Sequence, residues 1–139
     1  MIFANILYLY KIFSMNIKNI ILEEIENFYL HNKFKEITNS NDYINCHSFA
    51  QRMLNFDEKR NLPKLNFNVF LTKNGIKNIE KLQCGDLLEF NNIGHYAVYV
   101  NDGNVMEVEG WGKKPRIKPL IDLLNGYEGT TSIYRKTQI

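Results

Sequence analysis

The order of patterns along this 139-residue chain predicts an α+β fold. Near the N-terminus, apolar residues recur at three- and four-residue spacing, which is typical of amphipathic helices. After Gly85, short apolar runs are separated by turns that contain Gly, Asn and Asp, which is typical of an antiparallel meander. Helices that come first, with the strands collected behind them, favour the α+β class over alternating strands and helices.

Two helices are predicted in the first half of the chain. Residues 16–33 place five apolar side chains at helical spacing, with glutamates between them. The polar segment 38–42 is expected to end this helix. A second helix is predicted from near Asn45 to about Leu54, with Asn45 or the residue before it as the N-cap. Weaker signals then predict a turn at Leu62–Pro63, a strand over 67–71 and a turn at Asn74–Gly75.

The second half of the chain is predicted to form most of the sheet. Strands are predicted over 86–90, 95–100, 105–109 and 131–135, and a short helix over 117–124. A tight loop at 101–103 joins two of these strands. A basic loop with Lys113, Lys114 and Arg116 is expected to be solvated. Because no repeat or linker interrupts this order, we expect one domain over residues 15–139.

Residues 1–14 are set apart from this predicted domain. The run Ile2–Phe13 is mostly apolar, but Lys11 interrupts it and it is too short to span a bilayer. We interpret 1–14 as a peripheral extension or as a misassigned start ahead of Met15, with a degenerate export signal as the alternative. Without a convincing cleavable signal or transmembrane anchor, a cytoplasmic protein, or one released without a signal peptide, is favoured over a secreted one.

Composition and charge exclude several classes of function. A hydrophobic content of 45% and a charged content of 23% are typical of a soluble globular chain. A net charge of +2 is too small to favour a nucleic-acid partner. Two cysteines do not make a disulfide scaffold, and the His and Cys spacings do not suggest a metal site. We therefore expect a monomer that needs neither a metal nor a cofactor.

Cys46 is the first candidate for chemistry because it begins the second predicted helix. The unpaired N–H groups and the positive end of the helix dipole stabilise a thiolate there, which lowers the thiol pKa below its free value of about 8.5. The same N–H groups can bind the oxyanion of a tetrahedral intermediate. A small, buried and inert thiol is the alternative for Cys46, and it is the interpretation that we prefer for Cys84.

His95 is the candidate base, since it opens a predicted strand directly after a turn. There its ring can lie over the end of the sheet and accept a proton from a thiol. Glu107 and Glu109 lie on the next strand, and either can orient the imidazole. A three-residue loop pairs Val100 with Asn104, which puts Glu109 opposite His95 and Glu107 diagonal to it on the same face. A two-residue loop would turn both carboxylates to the other face.

Five short motifs follow one another in this region of the chain. They are Asn45-Cys46-His47-Ser48-Phe49-Ala50, Leu62-Pro63, Leu82-Gln83-Cys84-Gly85-Asp86-Leu87-Leu88-Glu89-Phe90, Gly94-His95-Tyr96-Ala97-Val98-Tyr99-Val100 and Asp102-Gly103. This ordered set resembles the landmarks of the NlpC-type, papain-like cysteine peptidases, with the CHAP amidases as a sister group. The resemblance covers roughly residues 40–136.

The resemblance implies a fold, an activity and a site. The implied fold is papain-like and of NlpC type, with N-terminal helices packed on a mostly antiparallel sheet. The implied activity is that of a cysteine peptidase or amidase in which Cys46 attacks an amide and His95 activates the thiol. The third residue of the family falls on Glu107, and the register argument leaves Glu109 as the alternative. The implied substrate is a peptidoglycan stem peptide or a related peptide.

The residues around the cysteine depart from the family pattern. Asn45, His47 and Ser48 stand where the family has Asp, Ser and Gly, and we expect these three residues to contact the substrate. These departures leave open an acyltransferase, or a hydrolase of an amide outside the cell wall, on the same site. A non-catalytic binding module that keeps the fold is a further alternative.

Overall fold

The computed structural model describes residues 2–40, 44–58, 61–91, 93–127 and 129–136. The helices in these ranges are α1 (Ile2–Asn39), α2 (Cys46–Leu54) and α3 (Leu120–Gly126), and a 3-10 turn covers Ile79–Lys81. The strands are β1 (Lys64–Thr72), β2 (Gly75–Lys77), β3 (Leu87–Phe90), β4 (His95–Tyr99), β5 (Asn104–Glu107), β6 (Arg116–Pro119) and β7 (Thr131–Tyr134). The chain is an α+β protein whose N-terminal helix packs on a curled antiparallel sheet.

The helix α1 is the longest element and only its C-terminal part joins the core. Its 38 residues span about 57 Å at the usual helical rise. Leu30 and Ile37 are buried in the core, whereas residues 5–21 are all exposed. The helix extends past both ends of the predicted range 16–33, since it begins at Ile2 and ends at Asn39, within the polar segment 38–42. Among the described residues, no helix combines the length and apolarity needed to cross a bilayer.

The helix α2 is fixed at its start by a capping box. The Asn45 side chain accepts a hydrogen bond from the Ser48 backbone N–H at 2.8 Å, and the Ser48 hydroxyl accepts one from the Asn45 N–H at 3.0 Å. This pairing satisfies two groups that a helix start leaves open and sets Cys46 as the first helical residue. The buried face of the helix consists of Phe49, Ala50, Met53 and Leu54.

The sheet has the strand order β2-β1-β7-β3-β4-β5-β6, and its neighbouring strands are antiparallel. In the hairpin between β4 and β5, Val98 pairs with Met106. The Val100 N–H donates to the Asn104 carbonyl at 2.9 Å, so the loop has three residues. The predicted hairpin register is confirmed, and it places His95 and Glu107 on the same face of the sheet.

The two faces of the sheet carry two separate apolar clusters. On one face the buried residues of α1 and α2 pack against strand residues that include Leu87, Val98 and Met106. On the other face α3 covers a cluster that includes Leu88, Phe90 and Val105. Every second residue of a strand contributes to the same face, so β3, β4 and β5 are covered from both sides and form the centre of the molecule.

The structure corrects the prediction for residues 117–124. Residues Arg116–Pro119 form β6, which pairs with β5, and the helix α3 begins only at Leu120. Proline disfavours the helical conformation in the residue before it, so Lys118 stays extended and can pair as a strand. The short strand β2 is also new, and β5 ends at Glu107 rather than at residue 109.

Candidate active site

The thiol of Cys46 lies at the first turn of α2 and reaches the beginning of β4. Its Sγ is 3.9 Å from the Gly94 carbonyl oxygen, and the sulfur forms a hydrogen bond with the His95 ring. Hydrogen bonding from the backbone N–H groups of Tyr96 and His47 also lowers the pKa of this thiol. A sulfur that receives several N–H donors at a helix start is in a position that stabilises a thiolate.

The His95 ring is held in a defined place at the start of β4. The side chain is only 5% exposed. Its ring centroid lies 5.5 Å from that of Phe90, its partner across the ladder, and 5.2 Å from that of Tyr127. These two aromatic rings limit the rotation of the imidazole and keep water away from it.

The carboxylate of Glu107 faces the imidazole of His95. Glu107 is 0% exposed, and its Oε1 lies 3.5 Å from His95 Nε2. Among the described residues neither atom has another hydrogen-bond partner, so each is aimed at the other. Catalytic hydrogen bonds are often this long in proteins without a bound substrate. Because Nε2 faces Glu107, Nδ1 is the nitrogen left for the Cys46 thiol.

Arg116 holds the second oxygen of this buried carboxylate. Its Nε lies 3.3 Å from Glu107 Oε2, and its Nη1 lies 3.6 Å from Glu109 Oε2. Arg116 pairs with Glu107 in the β5–β6 ladder, so the strand register sets this contact. The cation keeps a fully buried carboxylate ionised and leaves Oε1 for the histidine.

The choice between the two predicted glutamates is decided by where β5 ends. The ladder register does continue Glu109 opposite His95, as predicted, but the strand ends at Glu107. The Glu109 side chain is 56% exposed and contacts Arg116. The structure therefore places Glu107, and not Glu109, beside the imidazole.

The pKa shifts describe one coupled group of charges. The hydrogen bond to His95 lowers the pKa of the Cys46 thiol, against the opposing effect of burial. Burial lowers the pKa of His95, but its hydrogen bonds to Cys46 and Glu107 outweigh burial and raise it to about 9. Burial raises the pKa of Glu107, while His95 and Arg116 bring it below its ordinary value. These directions favour a thiolate, an imidazolium and a carboxylate in line.

The three predicted substrate contacts occupy the same turn but differ in their surroundings. The side chains of Asn45 and Ser48 bind each other in the capping box. The His47 ring packs edge-on against the Tyr96 ring, with centroids 5.3 Å apart. The Tyr96 hydroxyl donates to Glu89 at 2.9 Å. Substrate contact by the three residues stays a prediction.

The turn before β3 contains the second cysteine, and hydrogen bonds to other segments hold this turn in place. The Asp86 carboxylate accepts the Gln83 N–H at 2.8 Å and binds Arg135 through both oxygens. The Cys84 N–H donates to Glu23 of α1 at 2.6 Å. Burial, followed by nearby carboxylates, raises the pKa of the Cys84 thiol to about 12. These contacts suit the structural role predicted for Cys84.

Two residues of the site, Arg116 and Tyr127, were not predicted from the sequence. Arg116 was assigned to a solvated loop, because its strand was not predicted. Tyr127 follows α3 and reaches the histidine only through the packing of that helix on the sheet. For Arg116 the available signal was its charge directly before the sequence Ile117-Lys118-Pro119, and Tyr127 had no signal.

Comparison with known protein families, curated proteins and solved structures gives no match. Among the described residues no group of three or more His, Cys, Asp or Glu side chains is arranged to hold a metal ion.

Proposed function

We propose that this protein is a cysteine hydrolase that cleaves amide bonds with Cys46, on a papain-like fold of NlpC type. The observation that carries the proposal is the continuous line of contacts from Cys46 through His95 to the buried carboxylate of Glu107. A helix that begins at the nucleophile and packs against the strand that begins at the base supports the papain-like assignment.

The first half of the reaction uses the thiolate as nucleophile and the imidazolium as acid. The Cys46 sulfur donates an electron pair to the carbonyl carbon, and the carbonyl π pair moves to the oxygen. The Cys46 backbone N–H, in the first turn of α2, is placed to bind this oxyanion. His95 then gives its proton to the amide nitrogen, the C–N bond breaks, and the amine leaves a thioester on Cys46.

The second half releases the acid and restores the site. Neutral His95 takes a proton from water as the water oxygen attacks the thioester carbon. The C–S bond breaks, the carboxylic acid leaves, and the sulfur returns to the thiolate beside the imidazolium. Water is consumed once for each amide bond that is cleaved, so the reaction needs no further reactant.

Glu107 has an electrostatic and an orienting role in both halves. Its carboxylate accepts a hydrogen bond from the Nε2–H of His95, which fixes Nδ1 toward the sulfur and stabilises the positive imidazolium. Burial of the pair strengthens this attraction, since solvent does not screen it. Arg116 acts on the reaction through Glu107 and is a positioning residue.

Peptidoglycan stem peptides are the substrate class that we propose first, because of the resemblance to the NlpC-type peptidases. The groups beside the nucleophile differ from that family at Asn45, His47 and Ser48. Two of these side chains are engaged in the capping box, and the third packs on Tyr96. These contacts hold the start of α2, so the position of Cys46 does not depend on which substrate binds.

The test is incubation of the full chain with purified muropeptides and mass spectrometry of the products. We expect two new species whose masses sum to that of the substrate plus one water, one of them with a new amine. His95→Ala should slow cleavage by about a thousandfold, since both proton transfers pass through the imidazole. Cleavage that persists at the same rate in His95→Ala would contradict the proposed site.

If muropeptides are not cleaved, the reactivity of Cys46 distinguishes the remaining alternatives. Intact muropeptides in the presence of a reactive Cys46 thiolate would favour an acyltransferase or a hydrolase of a different amide. Intact muropeptides and an unreactive Cys46 would favour a non-catalytic binding module.

A further inference from the structure

The exposed part of α1 is the largest feature that the proposed active site does not use. Residues 5–21 are all exposed, although many of their side chains are large and apolar. Phe13, for example, is 62% exposed and Tyr8 is 65% exposed. A continuous apolar surface of this kind on a soluble chain marks an interaction site.

One side of this exposed segment is an apolar stripe. Ile6, Tyr10, Phe13, Ile17 and Ile20 follow each other at alternating four- and three-residue spacing, so they share one face of the helix. The segment is about 26 Å long at the helical rise. The described residues include no helix that is long and apolar enough to cross a bilayer.

The charge of the segment identifies the partner. Between residues 5 and 22 the charged side chains are Lys11 and Lys18, and no carboxylate is present. Two copies of this segment would bring only positive charges together, and they would lack the opposite charges that usually flank paired helices. An anionic lipid surface supplies the missing negative charge and accepts the apolar stripe.

We propose that the exposed segment 5–21 of α1 is a docking helix that lies on the surface of a bilayer rich in anionic phospholipid. The apolar stripe enters the boundary between headgroups and acyl chains, and the two lysines lie among the phosphates.

The place where α1 joins the rest of the protein determines whether docking obstructs the candidate active site. Glu23 of α1 binds the backbone of Cys84, and Gly85 donates to the Tyr99 carbonyl at the end of β4. The candidate site lies at the other end of the same strand, where His95 begins it. Docking is therefore expected to leave Cys46 open to substrate.

The experiment is co-sedimentation of the full chain with two kinds of vesicle. One kind is phosphatidylcholine alone, and the other is phosphatidylcholine with phosphatidylglycerol in equal parts. We expect binding to the mixed vesicles that weakens as salt rises, and little binding to phosphatidylcholine alone. Exchange of both lysines by glutamine, Lys11→Gln with Lys18→Gln, should weaken binding about thirtyfold. Phe13→Asp should weaken it at least about a hundredfold.

Matched controls separate docking from general stickiness and from misfolding. Ile121→Asp changes an exposed apolar residue of α3, and Lys113→Gln with Lys114→Gln removes two exposed lysines elsewhere. Both control variants should bind the mixed vesicles like the unchanged chain. Iodoacetamide labelling of Cys46 should be the same in all variants and on vesicles, which shows that the fold and the open site are kept.

Three results would overturn the proposal. They are no binding to the mixed vesicles, equal loss of binding in the α1 and control variants, and binding that Phe13→Asp does not change. A chain that forms a dimer in solution through Phe13, and does not sediment with vesicles, would assign the stripe to a second copy instead.

Discussion

Cys46 and Cys84 belong to the same chain, yet their surroundings shift their pKa values in opposite directions. At Cys46 the hydrogen bond from His95 is the largest influence and lowers the pKa, although burial opposes it. At Cys84 burial is the largest influence, and the carboxylates of Glu23 and Glu26 act in the same direction, so the pKa rises to about 12. Burial disfavours both thiolates. The sign of the neighbouring charge therefore decides the direction of each pKa shift.

The two helices add to these opposite surroundings, beside the contribution of His95 from β4. α2 presents backbone N–H groups and a positive dipole end to Cys46, because the cysteine is its first residue. α1 presents Glu23 to the backbone of Cys84 and Asn27 to its sulfur, the latter at 3.9 Å. The thiol at a helix start and the thiol at a helix side therefore have pKa values shifted in opposite directions.

The largest expected effect comes from exchanging each cysteine in turn. Cys46→Ser should reduce kcat/KM for the amide substrate by at least about a thousandfold, since the hydroxyl is far less acidic than the thiol. Cys84→Ser should leave kcat/KM within about twofold and lower the free energy of unfolding by about 1 kcal/mol. Cleavage assays and urea denaturation measure both. Loss of activity in Cys84→Ser with an intact fold would contradict the structural role of Cys84.

The next effect comes from the carboxylate behind the histidine. Glu107→Gln should lower kcat/KM by about a hundredfold, because the imidazolium loses its buried counter-charge. Glu107 raises the pKa of His95, so the alkaline limb of the pH–rate profile should move down from near pH 9.

Glu109→Gln is the matched control for this carboxylate. Glu109 is exposed and contacts Arg116, so we expect kcat/KM within about threefold of the unchanged chain and the same alkaline limb. A larger effect at Glu109 than at Glu107 would assign the orienting role to the other glutamate.

A smaller effect is expected at Arg116. In Arg116→Gln the buried carboxylate loses its cation, and burial then raises the pKa of Glu107. The acid limb of the pH–rate profile should move up, and kcat/KM near pH 7 should fall by about tenfold. Lys113→Gln, at an exposed lysine of the same segment, should leave the profile unchanged. If Arg116→Gln only lowers stability and keeps the profile, the arginine has no positioning role.

The smallest effect concerns the start of α2. Asn45→Ala removes the capping box and should lower the free energy of unfolding by about 1 kcal/mol. We expect KM to change by less than about threefold, because the Asn45 side chain is bound to Ser48. Thermal denaturation and steady-state kinetics check both values. A raised KM at unchanged stability would support the substrate contact that the sequence predicted.

The parts of the site that local sequence determines were predictable. Asn45 and Ser48 are close in sequence and form their own cap, so the position of Cys46 at a helix start follows from four consecutive residues. The loop at 101–103 sets the hairpin register by its length, and that register places His95 and Glu107 on the same face.

The remainder depends on contacts between distant segments. The choice of Glu107 over Glu109 needs the end of β5 and the guanidinium of Arg116, which stands on a strand that the pattern did not reveal. Tyr127 reaches His95 only because α3 packs on the sheet. The apolar spacing in α1 predicts a helix, but the same spacing occurs in buried and in exposed helices, so it could not show that residues 5–21 lie outside the core.

Site-resolved labelling of both cysteines in the unchanged full chain tests the central claim most directly. Aliquots are treated with iodoacetamide across a range of pH, and mass spectrometry reports the labelled fraction at Cys46 and Cys84 separately. The thiolate is the reactive form, so a lowered pKa moves the labelling midpoint to lower pH and a raised pKa moves it higher. We expect Cys46 to label with a midpoint below that of an ordinary free thiol, and Cys84 to resist until near pH 12. A Cys46 midpoint at or above that of Cys84 in the folded protein would contradict the account.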